Sequence, residues 1–231
     1  MKVVILQPSY IPWRGYFHQI QKADLFVFYD CVQYDSEGWR NRNQIKTAAG
    51  PLWLTIPVRV KGHTSLGTAI KDVPMDPVKP WRIKHLRSIE QSYTKAPHFA
   101  RYAPLLHEFY SRHDAQLADF TCDFTIALAR ALGIEHTRFV RSSTLPAQGA
   151  KTDRLLSILR HVGATHYLSG PAARGYLEED KLTAAGITLE YMNYEYPDYP
   201  QLHGAFQPRM SIVDLLCNAG PQAADYIWTQ K

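Results

Sequence analysis

Residues 2–30, KVVILQPSYIPWRGYFHQIQKADLFVFYD, place two short apolar runs on either side of an amphipathic segment. The run over residues 2–6 is rich in β-branched residues and predicts a buried strand. Residues 15–23 predict a helix, because Phe17 and Ile20 recur at helical spacing, and residues 24–30 predict a second strand. Strand, helix and strand in this order are typical of a βαβ unit, which implies a parallel sheet with a right-handed crossover.

Predicted strands and helices continue to alternate along the rest of the chain. Residues 31–50 predict a loop with a short helix, and residues 68–73 are a candidate partner for a strand at 53–60. Further strands are predicted at 137–141, 166–169 and 187–191. Further helices are predicted at 81–95, 98–111, 115–132, 152–162, 176–185 and 212–219. The fold class is therefore α/β: a parallel Rossmann-like sheet with a helical insertion at about residues 75–135, within one domain spanning residues 1–231.

The composition is that of an ordinary globular protein, since 45% of the 231 residues are hydrophobic and 20% are charged. The apolar runs are far shorter than the roughly 20 residues of a spanning helix, so we expect no membrane insertion. The N-terminal apolar stretch is too short for a signal peptide, and we expect a cytoplasmic protein. Cys31, Cys122 and Cys217 form no closely spaced pair, so we expect free thiols and no metal site.

The net charge of +5 indicates anionic partners. No block of five like charges and no nucleic-acid-binding motif occurs, so we expect a small-molecule substrate that carries phosphate or carboxylate, and no nucleic acid. The alternative explanation is a mildly basic, solvated surface. The sequence predicts neither a particular cofactor nor an oligomeric state.

The loop after the first predicted strand is the first candidate binding segment. Ligands of open α/β proteins bind at the carboxyl ends of the strands, where a helix N-terminus attracts anions. A glycine in this loop would let a ligand approach the backbone, although neither glycine-rich phosphate fingerprint occurs. The aromatic side chains would form a wall against a sugar or base, or alternatively pack in the core. The candidate residues here are Gln7, Tyr10, Trp13, Gly15 and Tyr16.

The segment after the second predicted strand is rich in amides and cations. Arginine forks suit carboxylate or phosphate, and lysine supplies a point charge. The alternative is an exposed polar surface. The candidate residues of this segment are Asp30, Gln33, Asn41, Arg42, Asn43 and Lys46.

A third set of candidates lies further along the chain. His85 shares a helix face with Trp81 and is the candidate general base, because an imidazole titrates near neutral pH. The alternative is a packed or surface histidine. Ser211 and Asp214 resemble a capping box, with Asp in place of Glu or Gln, which favours a structural role. The remaining candidate substrate-binding residues are Ser169, Gly170 and Gln201.

These segments together resemble the WbqC-like protein family, from residue 3 to residue 220. The matching residues are Gln7-Pro8, Tyr10, Pro12-Trp13, Gly15-Tyr16-Phe17, Tyr29-Asp30, Val32-Gln33-Tyr34, Trp39, Asn41-Arg42-Asn43, Ile45, Trp53-Leu54-Thr55, Pro57, Trp81, His85, Tyr93, Tyr167-Leu168-Ser169-Gly170 and the segment 211–220. Cys31 departs from the family pattern, in which a second acidic residue is expected after Asp30.

The resemblance implies a transferase of bacterial surface-polysaccharide biosynthesis. Such an enzyme would move an acyl or aminoacyl group, glycyl for example, onto a sugar or a related small metabolite. The alternative is a non-catalytic module that binds a glycan or a nucleotide, because no recognisable nucleophile motif occurs.

Overall fold

The computed structural model describes residues 1–60 and 67–228. Within these residues the strands are β1 Lys2–Leu6, β2 Leu25–Phe28, β3 Arg42–Thr47, β4 Gly50–Thr55, β5 Arg138–Arg141, β6 His166–Ser169 and β7 Thr188–Tyr191. The α-helices are α1 Arg14–Lys22, α2 Trp81–Tyr93, α3 Phe99–Ser111, α4 Leu117–Ala131, α5 Lys151–His161, α6 Glu179–Ala184 and α7 Ile212–Ala219. None of these described helices combines the length and the apolar character needed to cross a bilayer.

Five strands form one sheet in the order β5-β2-β1-β6-β7, and every pairing in it is parallel. Helix α1 connects β1 to β2, which confirms the predicted βαβ unit. The chain then returns from β5 to β6, on the other side of β1, so the direction of strand addition reverses between β1 and β6. Such a switch point leaves a crevice at the carboxyl ends of the strands.

Both faces of the sheet are covered, as a parallel sheet requires. Val4 and Phe26 pack on one face against side chains of α1, α2, α3, α4 and α7. Val3 and Val27 pack on the other face against α5 and α6. The period-two alternation of a strand thus divides β1 and β2 between two apolar cores.

The helices α2, α3 and α4 form the predicted helical insertion. They precede β5 in the chain, contribute no strand to the sheet, and belong to the core on the α1 side. The rings of Phe109 and Phe124 stack between α3 and α4 with centroids 4.5 Å apart. The α/β fold class with a Rossmann-like sheet is confirmed, while the division into a domain and a helical subdomain stays a prediction.

The segment after β2 differs from the prediction. A loop with a short helix over residues 31–50 is wrong, because β3 and β4 form an antiparallel hairpin across residues 42–55. Asn43 and Ile45 are buried, so the strand has an inner face, but a polar residue at position 43 hides that alternation in the sequence. The predicted strand at residues 68–73 is also wrong: Ile70–Asp72 is a 3-10 turn, with Ile70 fully buried.

Two helix starts also differ. Asp114 does not cap α4, which begins after Gln116; the carboxylate of Asp114 instead accepts a hydrogen bond from Arg112 Nε at 3.0 Å. Helix α6 starts three residues later than predicted, at Glu179, and a 3-10 turn at Pro171–Gly175 precedes it.

Candidate functional site

A cavity of about 1110 Å³ lies at the switch point, where β1 and β6 end. Its walls come from the loops after β1, β2 and β6 and from the start of α5. Five of the predicted site residues line it: Gln7, Trp13, Tyr16, Asn43 and Gly170.

The charge of the cavity has one sign. Arg40, Lys151, Arg154 and Arg209 line it, and its described lining residues include no aspartate or glutamate. Helix α5 starts at the wall and adds the partial positive charge of its N-terminus. The cavity therefore favours an anionic ligand.

The rest of the lining is rich in aromatic rings. These are Trp13, Tyr16, Tyr29, Trp39, Tyr167, Tyr176 and Tyr194. Burial raises the pKa of Tyr29 and of Tyr194 to about 12, so both hydroxyls keep their protons at neutral pH and can donate hydrogen bonds. Flat rings beside hydroxyl donors suit the base or the sugar of a nucleotide-type ligand.

Trp13 is positioned by the glycine two residues after it. The indole ring folds back over the start of α1, and a Cβ on Gly15 would lie 2.3 Å from Trp13 Cζ2. The ring also packs edge-on against Tyr194 and Tyr196, with centroids 5.1 and 5.9 Å away. The predicted role of Gly15 was close approach of a ligand; in the structure the closely approaching group is Trp13.

Replacing Gly15 with alanine should displace the Trp13 ring. We expect the free energy of unfolding to fall by about 1–3 kcal/mol, the usual cost of overpacking. Urea denaturation measures this loss, and near-UV circular dichroism reports the indole. Gly175→Ala is the matched control at the cavity wall, since an added Cβ there meets nothing within 4 Å. Equal stability of both variants would contradict this role of Gly15.

His85 lies away from the lining, in a buried chain of hydrogen bonds. Its Nδ1 is 2.9 Å from the hydroxyl of Tyr10, which also bonds to the hydroxyl of Tyr110. Burial lowers the pKa of His85 to about 4, although a hydrogen bond to the backbone of Thr55 opposes this. The imidazole is therefore neutral at neutral pH and joins α2, α3 and the loop after β1.

Asp30 is fully buried at the end of β2 and holds the end of β5. Its carboxylate accepts hydrogen bonds from Arg141 Nε at 2.6 Å, from Ser142 Oγ at 3.0 Å and from the Ser143 amide at 2.9 Å. Asp30 does not line the cavity.

Lys46 and Gln201 belong to a second buried polar network, centred on Asp214. The Lys46 ammonium donates to Gln201 Oε1, Gly204 O and Ala205 O at 3.1, 3.0 and 2.7 Å. Asp214 accepts from Tyr93 Oη at 2.8 Å, Tyr199 Oη at 2.6 Å and Gln201 Nε2 at 2.7 Å. Burial raises the pKa of Asp214, whereas these three hydrogen bonds and the charge of Lys46 act in the opposite direction.

This network also corrects the capping-box interpretation. Ser211 does cap α7, because its Oγ accepts a hydrogen bond from the Val213 amide at 3.1 Å. The Asp214 carboxylate instead binds side chains of α2 and of the segment before α7.

The remaining candidates contact the backbone. Asn43 donates to the carbonyls of Tyr10 and Ile11 at 3.1 and 2.9 Å, and so holds a loop in which Ile11 has a φ of 36°. Asn41 donates to Ile56 O at 2.8 Å. The Arg42 guanidinium lies over the exposed ring of Trp53, 5.0 Å from its centroid, and outside the lining.

The structure therefore does not bring all the candidates into one cleft. Those outside the lining are Tyr10, Gly15, Asp30, Gln33, Asn41, Arg42, Lys46, His85, Ser169 and Gln201. Ser169 lies beside the cavity wall and donates to the Tyr167 hydroxyl at 3.4 Å, and Gln33 forms a β-bridge with Ala69. Substrate-binding roles for these residues stay predictions.

None of the four cationic residues of the lining is among the predicted site residues, although Arg40 lies in the cation-rich segment after the second predicted strand. A signal exists at α5, where Lys151 and Arg154 accompany Asp153 in the first turn, because helix starts favour acidic residues over basic ones. Lys151 also has a φ of 49°, which is unusual for a residue other than glycine. Arg40 and Arg209 come from irregular segments, where sequence periodicity gives no orientation.

The fold and the cavity define a parallel α/β protein with a cationic, aromatic ligand cavity at its switch point. The chain belongs to the WbqC-like protein family, whose profile matches residues 7–226. It is 40% identical over 228 residues to an uncharacterized protein of Mycobacterium tuberculosis, and the alignment covers 98% of this chain and 97% of that protein. No solved structure matches it.

Proposed function

We propose that the protein is a transferase acting on a phosphate-bearing small metabolite of the nucleotide-sugar class. The observation that supports this most strongly is the cavity of about 1110 Å³, with four cations and no carboxylate in its described lining. Small-molecule sites usually measure roughly 300–1,000 Å³, so this cavity has room for a nucleotide with its sugar. In this proposal the phosphates bind near Lys151 and Arg154, and aromatic rings contact the base or sugar.

The proposed reaction moves an acyl or aminoacyl group from an activated donor to an amine or hydroxyl of the sugar. The bond between the acyl carbon and its leaving group breaks, a C–N or C–O bond forms, and the acceptor's proton passes to the leaving group or to water. The described lining contains no histidine, cysteine or carboxylate. The protein would therefore act by orienting the substrates and neutralising charge. The family resemblance suggests surface-polysaccharide biosynthesis, and we propose the cytoplasm as the setting.

Arg154→Ala should weaken binding of a nucleoside diphosphate sugar about 10- to 100-fold, or about 1.5–3 kcal/mol, the range of a charge-assisted hydrogen bond. Calorimetric titration with UDP-, GDP- and dTDP-linked hexosamines measures the affinity. Arg160→Ala, at the exposed far end of α5, is the matched control and should bind like the wild type. If the wild type binds none of these probes, the proposed ligand class is wrong.

A non-catalytic binding module is the second candidate, and the same lining favours it because no side chain there is an obvious general base at neutral pH. The two candidates differ in turnover. Mass spectrometry of the hexosamine nucleotide, incubated with an aminoacyl phosphate donor, should show the acyl adduct for a transferase. Tight binding without an adduct, across amino acid donors, would favour the module.

A further inference from the structure

Arg40 is a partly buried cation of the cavity wall that forms no direct ion pair within the described residues. Its hydrogen bond within the described residues runs from Nη1 to Pro8 O at 3.4 Å, which is long. Its Nε is shielded from solvent and has no hydrogen-bond partner. No described carboxylate lies within 4.0 Å of the guanidinium. Burial lowers the pKa of Arg40, which nearby Tyr16 and Asp35 partly offset.

Two other partly buried arginines pair with carboxylates, whereas Arg14 and Arg82 donate to backbone carbonyls and lie outside the cavity lining. Arg141 pairs with Asp30 and Asp119, and Arg112 pairs with Asp114 and Asp123. An unpaired charge in a desolvated place is costly unless a partner arrives. Arg40 lines the cavity, so that partner can be a ligand.

Arg40 and Arg154 reach the cavity from elements on different faces of the sheet. Arg40 lies beside Tyr16, whose helix α1 covers one face of the sheet. Arg154 belongs to α5, which covers the opposite face, and it lies near Tyr29. We call these two sides of the cavity the Arg40 end and the α5 end. The two cations therefore belong to different walls of the cavity, whose volume of about 1110 Å³ leaves room for a separate anionic group at each.

We propose that Arg40 forms a second anion subsite, which binds the carboxylate or phosphoryl group of the second substrate. This inference rests on the proposed function, because a transferase must hold two substrates in one cavity. The guanidinium fork matches either anion, since both present two oxygens side by side. The α5 end remains the site of the nucleotide phosphates.

The test follows the side-chain Nε–H resonance of Arg40 by ¹⁵N NMR. Shielding slows its exchange with water, and Arg40→Lys identifies the signal by its loss. Malonate and inorganic phosphate are titrated separately, with chloride at matched ionic strength as the blank. We expect a saturable change in the chemical shift with at least one of the two anions, and that anion identifies the chemical group that the subsite binds. Arg42→Lys, on the outer face of the hairpin, is the control that should keep the response.

Titrations with UDP show whether the Arg40 end and the α5 end bind anions independently. With saturating UDP present, the affinity for the anion, measured from the Arg40 resonance, should stay within about twofold of its value without UDP. The UDP affinity of Arg40→Lys should likewise stay within about twofold of that of the wild type. Arg154→Ala should lose UDP affinity at least tenfold and keep the Arg40 response. A shift no larger than with chloride, or competition between UDP and the anion, overturns the second subsite. If no nucleotide binds while Arg40 still responds, the proposed function fails and the subsite stands.

Discussion

Asp214→Ala should lower the free energy of unfolding by about 3–5 kcal/mol, the range for removing one partner of a buried ionic network. The carboxylate is fully buried and accepts hydrogen bonds from Tyr93, Tyr199 and Gln201. Without it, two buried hydroxyls and one amide lose their acceptor, and the buried ammonium of Lys46 loses a nearby charge. Urea denaturation followed by circular dichroism measures the change.

Two further variants show whether the loss of stability comes from the Asp214 network or from removing any carboxylate. Asp214→Asn keeps the shape and one acceptor oxygen, so we expect a smaller loss, about half that of alanine. Asp153→Ala removes an exposed carboxylate that pairs with Lys181, and should cost less than about 1 kcal/mol. A loss below about 1 kcal/mol for Asp214→Ala would show that the network contributes little to stability.

Acidification should destabilise the protein through His85. Its folded-state pKa is lowered to about 4, whereas an unfolded histidine has a pKa of about 6.5. Between these values the unfolded chain binds a proton at His85 that the folded chain does not. The stabilisation from a neutral, buried His85 is therefore complete above about pH 6.5 and is lost as the pH falls towards 4. The difference corresponds to about 3 kcal/mol. His18, whose pKa burial also lowers to about 4, acts in the same direction.

Chemical denaturation at a series of pH values between 4 and 7.5 measures this effect. His85→Asn cannot gain a proton in this range and should show a flatter profile, with a lower stability at pH 7. Tyr110→Phe is the matched control: it removes a hydroxyl from the same chain of hydrogen bonds but keeps the imidazole, so its profile should be lowered without flattening. Identical slopes for His85→Asn and the wild type would contradict the linkage.

The sheet was predictable because its strands and helices obey simple periodicities. The apolar run in β1 and the helical spacing of Phe17 and Ile20 in α1 determine the βαβ unit. The β3–β4 hairpin was not predictable in the same way. Asn43 and Lys46 lie on opposite faces of β3, and both are buried because backbone carbonyls and the Gln201 side chain accept their hydrogens. Polar residues satisfied by distant partners do not produce an apolar pattern.

The candidate site was predictable in position but only partly in composition. Loops after neighbouring parallel strands had to meet at one edge, and Trp13 and Asn43 do line the cavity there. Residue type alone could not separate a cation at the cavity wall from one that is bonded within the protein. Lys46 makes three hydrogen bonds inside the protein, whereas Arg40 makes one long bond and faces the cavity. That difference depends on contacts between residues far apart in the sequence.

The central position of β1 has a consequence for synthesis on the ribosome. β1 can pair with β2 soon after residue 28 emerges, but its other edge waits for β6, whose last residue is Ser169. At roughly 5–20 residues per second, translation leaves that edge without its partner for on the order of ten seconds or more. An unpaired apolar strand edge templates pairing with other chains. The nascent protein should therefore need chaperones to bind the exposed edge of β1 until β6 has been synthesised.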